Sequence, residues 1–205
     1  MRPLAAFSLT LVACLAGPAV AADLSITLRG QSGAPIQDAA VLRAAAVAPP
    51  TAGAALIDQI DKRFEPSVSL VRTGTAITFP NKDNIRHHFY SFSSAKTCEL
   101  KLYSGVPAEP VVFDQAGLIV LGCNIHDGML AYVYVVDTPL ARLSDAAGIA
   151  RIPAIAAGQY QLEVWHPRLP APAILNAGLA IGTTALSFEQ VLTLEPDPQT
   201  PPPLE

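Results

Sequence analysis

The sequence predicts an all-β fold, on three observations. Short segments rich in Val, Ile, Leu and aromatic residues recur along its 205 residues, several alternating as half-buried strands do. Gly, Pro, Asp and Asn stand between them as turn residues. The Ala-rich stretches are broken by Pro or Gly, and no segment after the N-terminus is apolar for long enough to span a bilayer.

Taken in order, the first element is a leader. Arg2 supplies a positive start, Leu4 to Leu15 is an apolar stretch too short to span a bilayer, and Ala19-Val20-Ala21 fits the small-residue rule for cleavage before Ala22. Residues 1–21 therefore read as a secretory signal peptide, which implies the periplasm. Leu11-Val12-Ala13-Cys14 resembles a bacterial lipobox, so a lipid anchor at Cys14 is the alternative. Leu24 to Arg29 alternates as a strand, Gly30 to Pro35 supplies a turn, Ala39 to Ala44 is a second strand, and Pro49 to Gly53 is a loop. Phe89 to Phe92, Val111 to Phe113, Leu118 to Leu121 and Ala131 to Val136 are strand-like in the middle of the chain. Ser144 to Gly148 is a turn before Ile149 to Ile155, and Ala157-Gly158 turns into the alternating strand Tyr160 to Trp165. Residues 196–205 form a Pro-rich tail, predicted to be disordered. Trp165 reads as a core residue, with His166 at the strand end before Pro167.

The formal net charge is −4, and loss of a leader containing Arg2 makes it one unit more negative. Nucleic acid, which asks for a basic patch, is excluded as a partner on this ground.

Chemistry concentrates in Gly122-Cys123-Asn124-Ile125-His126-Asp127-Gly128-Met129, where Cys, His and Met follow the spacing C-x2-H-x2-M. Upstream, Arg86-His87-His88-Phe89 offers a second imidazole. One thiolate, two imidazoles and one thioether are the ligand set of a blue-copper site, with the Met as a long axial ligand. Met129 is the only methionine beyond Met1. Flanking strands let a tight loop gather three side chains around one ion. The second imidazole arrives on another loop, so the site closes only when the sheet folds. In an oxidising compartment two cysteines suggest a disulfide. Here the motif makes Cys123 a thiolate and Cys98 a buried thiol, with a Cys98–Cys123 bridge as the competing reading.

Beyond the motif, Phe64-Glu65-Pro66, the run Val71 to Phe79 with its Gly74 turn, the stretch Asn81 to His87, and Met129 to Val135 resemble the plastocyanin, amicyanin and pseudoazurin family of cupredoxins. The short Cys-His-Met loop is most similar to amicyanin. Arg86 to Phe92 and Leu121 to Asp127 also resemble bacterial cupredoxin-like proteins labelled methylamine-utilisation proteins. The resemblance covers roughly residues 55–137 and implies a Greek-key β-sandwich. It implies His87, Cys123, His126 and Met129 as copper ligands. His88 falls where the family has an Asn that ties the two ligand loops together. Gly128 replaces a bulkier residue, and Ala131 a glycine.

On either side, Gly33 to Val41, Asp145 to Gly148 and Ala157 to Val164 resemble the carboxypeptidase regulatory-like, transthyretin-like β-sandwich. The expected organisation is a cupredoxin copper domain over 55–137, inserted between sandwich halves at 22–54 and 138–195. A single extended cupredoxin domain is the plainer alternative.

The function these resemblances imply is that of a periplasmic type 1 copper protein carrying single electrons between redox partners, such as an amine-oxidising dehydrogenase or a cytochrome. Two other classes stand beside it: copper binding or delivery without electron transfer, and a structural β module with a vestigial metal site. An enzyme is not expected. The chain has no G-x-S-x-G run and no Gly-rich phosphate loop, and four protein ligands leave no open metal position.

Overall fold

The computed structural model describes residues 21–44, 53–170 and 175–197. Residues 1–20 of the expected leader, Cys14 among them, most of the Pro49 to Gly53 loop, and the tail beyond Asp197 lie outside the described residues. Seventeen strands and no helix occur among those described, so the protein is all-β. Among the described residues no helix is long and apolar enough to cross a membrane.

Two separate cores form. In the first, β1 (Ala21–Gly30) pairs antiparallel with β14 (Ile149–Ala156) and parallel with β17 (Leu186–Leu192). Facing it, β2 (Ala40–Ala44) lies between β13 (Ala141–Leu143) and β15 (Gly158–Trp165), with β16 (Leu175–Ile181) outside β15. The alternation seen in the sequence sets the faces. Leu24, Ile26 and Leu28 of β1 point inward and meet Ile152, Leu162 and Val164 in one buried cluster. Thus the strands before residue 45 pair with strands after residue 140 and not with the middle of the chain.

The second core draws only on residues 55–135. One sheet runs β6 (Val68–Arg72), β12 (Leu130–Val136), β11 (Gly117–Cys123), β8 (His87–Ser93), β9 (Lys96–Tyr103) in spatial order. Opposite it stand β3 (Ala54–Leu56), β7 (Thr75–Thr78) and β10 (Val111–Phe113), and beside them the hairpin of β4 (Asp58–Ile60) and β5 (Arg63–Glu65). Adjacent β8 and β11 are antiparallel but not consecutive, the mark of a Greek-key connection. Phe64, Phe79, Phe89 and Phe113 fill the space between the sheets, with the Phe79 and Phe89 centroids 4.3 Å apart. Each such ring removed from water contributes about 1.5–3 kcal/mol.

A third cluster joins the two. Val68, Tyr134 and Val136 from the outer face of the five-stranded sheet pack on Ala40, Ala141 and Trp165. Trp165 is buried, as expected of a core residue, but in this joining cluster and not in the first core. The last residue of β15, it turns to the junction and packs on Tyr132 and Tyr134. Cys98 differs from expectation. It lies on the edge strand β9 and is half-buried, because the sheet covers it on one side only.

Candidate metal centre

Strand alternation decides which histidine turns inward. On β8, His87, Phe89 and Ser91 face the core, and His88 and Tyr90 face outward. His87 is fully buried. His88 Nε2 instead meets Glu99 Oε1 across the hairpin at 2.8 Å. The two ligand loops are tied not by the His88 side chain but by its main chain: Asn124 N–H donates to the His88 carbonyl at 2.9 Å.

Cys123 ends β11, in register with Phe89 on β8. The chain then turns through 124–128 and returns into β12. Cys123 N–H donates to the Met129 carbonyl at 3.1 Å, and Met129 N–H to the His126 carbonyl at 3.3 Å. Gly128 takes φ +78° with open space around its Cα, so the tight return asks for a residue free to enter the left-handed region. This is the physical reason that a bulkier residue is absent there.

The result is a cluster of one thiol and two imidazoles. Cys123 Sγ lies 3.7 Å from His87 Nδ1 and 3.6 Å from His126 Nδ1. One ligand atom from each residue falls within 4.8 Å of the others. The rings of His87 and His126 are 4.8 Å apart, centre to centre. Transition-metal bonds of about 2.0 Å to nitrogen and 2.3 Å to sulfur put the two ligand atoms roughly 3.5–3.8 Å apart at tetrahedral to trigonal angles. Both separations fall in that interval, so the three donors fit one ion. Met129 closes the same loop, is 2% exposed, and belongs to the same buried cluster as Cys123. Cys98 and Cys123 are both free thiols, so the competing disulfide is not formed.

Electrostatics around the cluster are asymmetric. His126 is the less buried imidazole. Desolvation, with the charges of His87 and Lys62, lowers its pKa below the ordinary value and so favours the neutral ring, in which one nitrogen keeps a free lone pair. Behind His87, Asp83 Oδ2 meets Nε2 at 2.7 Å. Burial pushes the Asp83 pKa up, but the N–H groups of Lys62 and Asp61 and the His87 ring outweigh it and hold the carboxyl below its usual value. Sequence reading missed Asp83 in this role. An Asp four residues before a His in a loop carries no signal, and the residues that aim it lie some twenty positions upstream.

Asn81 shapes the loop that carries both groups. Its buried amide donates to the carbonyls of Ile85 at 2.8 Å and Tyr103 at 2.9 Å, and its Oδ1 accepts from Asp83 N–H at 3.0 Å. Nearby, Tyr103 O–H donates to the Phe79 carbonyl and also meets the Gln59 amide. Burial pushes the Tyr103 pKa up to about 12, so the phenol stays protonated beside the site.

No protein-family model matches the chain, and no curated protein matches it by sequence. Among solved structures the chain is similar to a reduced amicyanin variant at 21% identity and a TM-score of 0.37, over 47% of this chain and 98% of that one. It is similar to a pseudoazurin from Sinorhizobium meliltoi at 20% identity and TM-score 0.33, over 43% and 77% of the two chains. A purple cupredoxin from Nitrosopumilus maritimus gives 20% identity and TM-score 0.33, over 40% and 99%.

Proposed function

We propose that this protein is a type 1 copper protein that carries single electrons, with His87, Cys123, His126 and Met129 as its ligands. The observation that carries the reading is the convergence of one free thiol and two Nδ1 atoms, delivered by two loops, at separations one ion can bridge. Copper, when bound, supplies two adjacent oxidation states, and soft sulfur with imidazole suits both.

The chain's own part is to hold those donors still. Cys123 and His87 are each anchored on a strand of the five-stranded sheet, and the Asn124 to His88 bond locks one loop to the other. Little rearrangement then accompanies gain or loss of an electron. His126, the less buried imidazole, is the natural exit towards a docked partner, and Met129 would hold the ion as a fourth, thioether donor that tunes its potential. An acidic chain suits a basic docking face, and an amine-oxidising dehydrogenase or a cytochrome is the partner class we favour.

In this reading residues 55–137 are the copper domain, and 22–54 with 138–195 are two halves of a second sandwich. The leader 1–21 directs the chain to the periplasm, by cleavage before Ala22 or with a lipid on Cys14.

Cu(II) added to the purified protein should produce an intense thiolate-to-metal charge-transfer band. That band should vanish on reduction, return on oxidation, and be absent in Cys123→Ser. Met129→Leu should retain colour with a shifted potential. A colourless protein, or colour that survives Cys123→Ser, would sink the proposal. Copper bound without reversible cycling would favour delivery over electron transfer.

A further inference from the structure

The hairpin of β4 and β5 turns through two residues, Asp61 and Lys62, with Ile60 and Arg63 paired across it. Both turn residues sit in the left-handed region, at φ 51° and 58°. Two positive φ values in succession are what a type I′ hairpin requires, and Gly normally supplies the second. Here Lys62 holds that position, a conformation disfavoured for a residue with a Cβ.

The strained turn has a consequence in space. Successive backbone N–H groups in a turn can point to one side, and the concavity they make binds anions. Asp61 N–H donates to Asp83 Oδ1 at 2.7 Å, and Lys62 N–H donates to Asp83 Oδ2 at 3.0 Å. Asp83 N–H is in turn fixed by Asn81 at 3.0 Å. Oδ2 also meets His87 Nε2 at 2.7 Å, with the His87 side chain 0% exposed and that of Asp83 10% exposed. An ionised carboxylate only accepts hydrogen bonds, so Nε2 must carry the ring proton. In the neutral ring Nδ1 then holds the lone pair, 3.7 Å from Cys123 Sγ.

We propose that the Asp61–Lys62 turn and Asp83 together form a positioning device for His87, which fixes its tautomer with Nδ1 free and places one full negative charge directly behind the metal site. Asp83 is then the residue that biases the site towards its more oxidised, more positively charged state. The inference rests on the copper reading for the potential, but not for the tautomer. Carboxylate partners of ligand histidines raise ligand basicity and orient the ring, and their loss typically weakens metal binding by about 10–100-fold.

Two measurements on the full chain test it. In the metal-free protein, nitrogen shifts of the His87 ring should show the proton on Nε2, and in Asp83→Ala that preference should collapse to a mixture. A proton on Nδ1 in the parent, or an unchanged preference in Asp83→Ala, overturns the positioning role. In copper-loaded protein, Asp83→Asn keeps the side chain's shape but removes its charge. Reduction should then become favoured by roughly tenfold, a rise in midpoint potential of about 59 mV. An unchanged potential with the blue band intact overturns the charge role. A parent that takes up no copper defeats the copper reading and the charge role with it, while the ring-nitrogen result still decides the tautomer.

Discussion

Trp165 meets Tyr134 edge-on, the ring centroids 5.6 Å apart and the planes at 79°, at the junction between two otherwise separate cores. Tyr132 flanks the same indole at 5.7 Å. This aromatic trio, with Val68, Val136, Ala40 and Ala141, is the apolar contact through which the flanking sandwich covers one face of the five-stranded sheet.

Truncating that indole should therefore loosen the junction and leave the metal cluster whole. Trp165→Ala is expected to lower stability by about 3–5 kcal/mol, the usual range for emptying a buried aromatic site. Cys123 belongs to the other core and His87 and His126 cluster around it, so copper uptake should be unchanged in the folded variant. Denaturant unfolding followed by circular dichroism checks the first expectation, and copper titration the second. A loss of copper binding from a folded Trp165→Ala protein would show that the junction supports the site directly.

Asn81 is expected to be the most sensitive residue of the loop that presents His87. Its side chain makes three hydrogen bonds while only 4% exposed. Asn81→Ala removes one donor from each of two carbonyls and the acceptor of one N–H, and a buried group left unpaired costs about 1–3 kcal/mol. Water reaching part of the loop reduces the sum, so a fall of about 3 kcal/mol is expected in chemical denaturation. Faster amide exchange should spread from Asp83 to His87. A variant as stable as the parent would mean that main-chain bonds alone shape the loop.

The contrast between His87 and Asp83 shows what the sequence made legible. Alternation along a strand says only that His87 and His88 face opposite sides; His87 is preferred on the spacing of the family the chain resembles, and the close-spaced Cys, His and Met name its partners. Strands β1 and β15 were legible because their apolar positions recur every second residue. Asp83 was not, because its role is created by a turn in β4–β5 whose left-handed residues, Asp61 and Lys62, carry no glycine to announce them. Strand β16 was equally silent. Its sequence Leu175-Asn176-Ala177-Gly178-Leu179-Ala180-Ile181 is poor in β-formers, and pairing with β15 across Gly158–Val164 supplies what propensity does not. The junction role of Trp165 depends on which sheet faces which, and local pattern does not encode that.

Acid should weaken the fold through His166, next to that tryptophan. His166 is 8% exposed, and its Nδ1 accepts a hydrogen bond from Arg168 N–H at 3.1 Å. Desolvation first, and the Arg168 charge second, lower its pKa from 6.5 to about 4; the bond to the Gln37 main chain and the charge of Asp197 only partly oppose them. The folded value lies below the unfolded one, so the unfolded chain binds more protons between roughly pH 6.5 and 4, and stability rises with pH across that window. Its contribution is full above pH 6.5 and lost as pH falls towards 4, by up to about 3 kcal/mol at 1.36 kcal/mol for each pH unit. His166→Gln deletes the titration. Stability measured by urea unfolding from pH 7 to pH 4 should fall less steeply in the variant than in the parent, whatever the variant loses at pH 7. Parallel slopes in the two proteins would show that His166 does not stay neutral in the folded state.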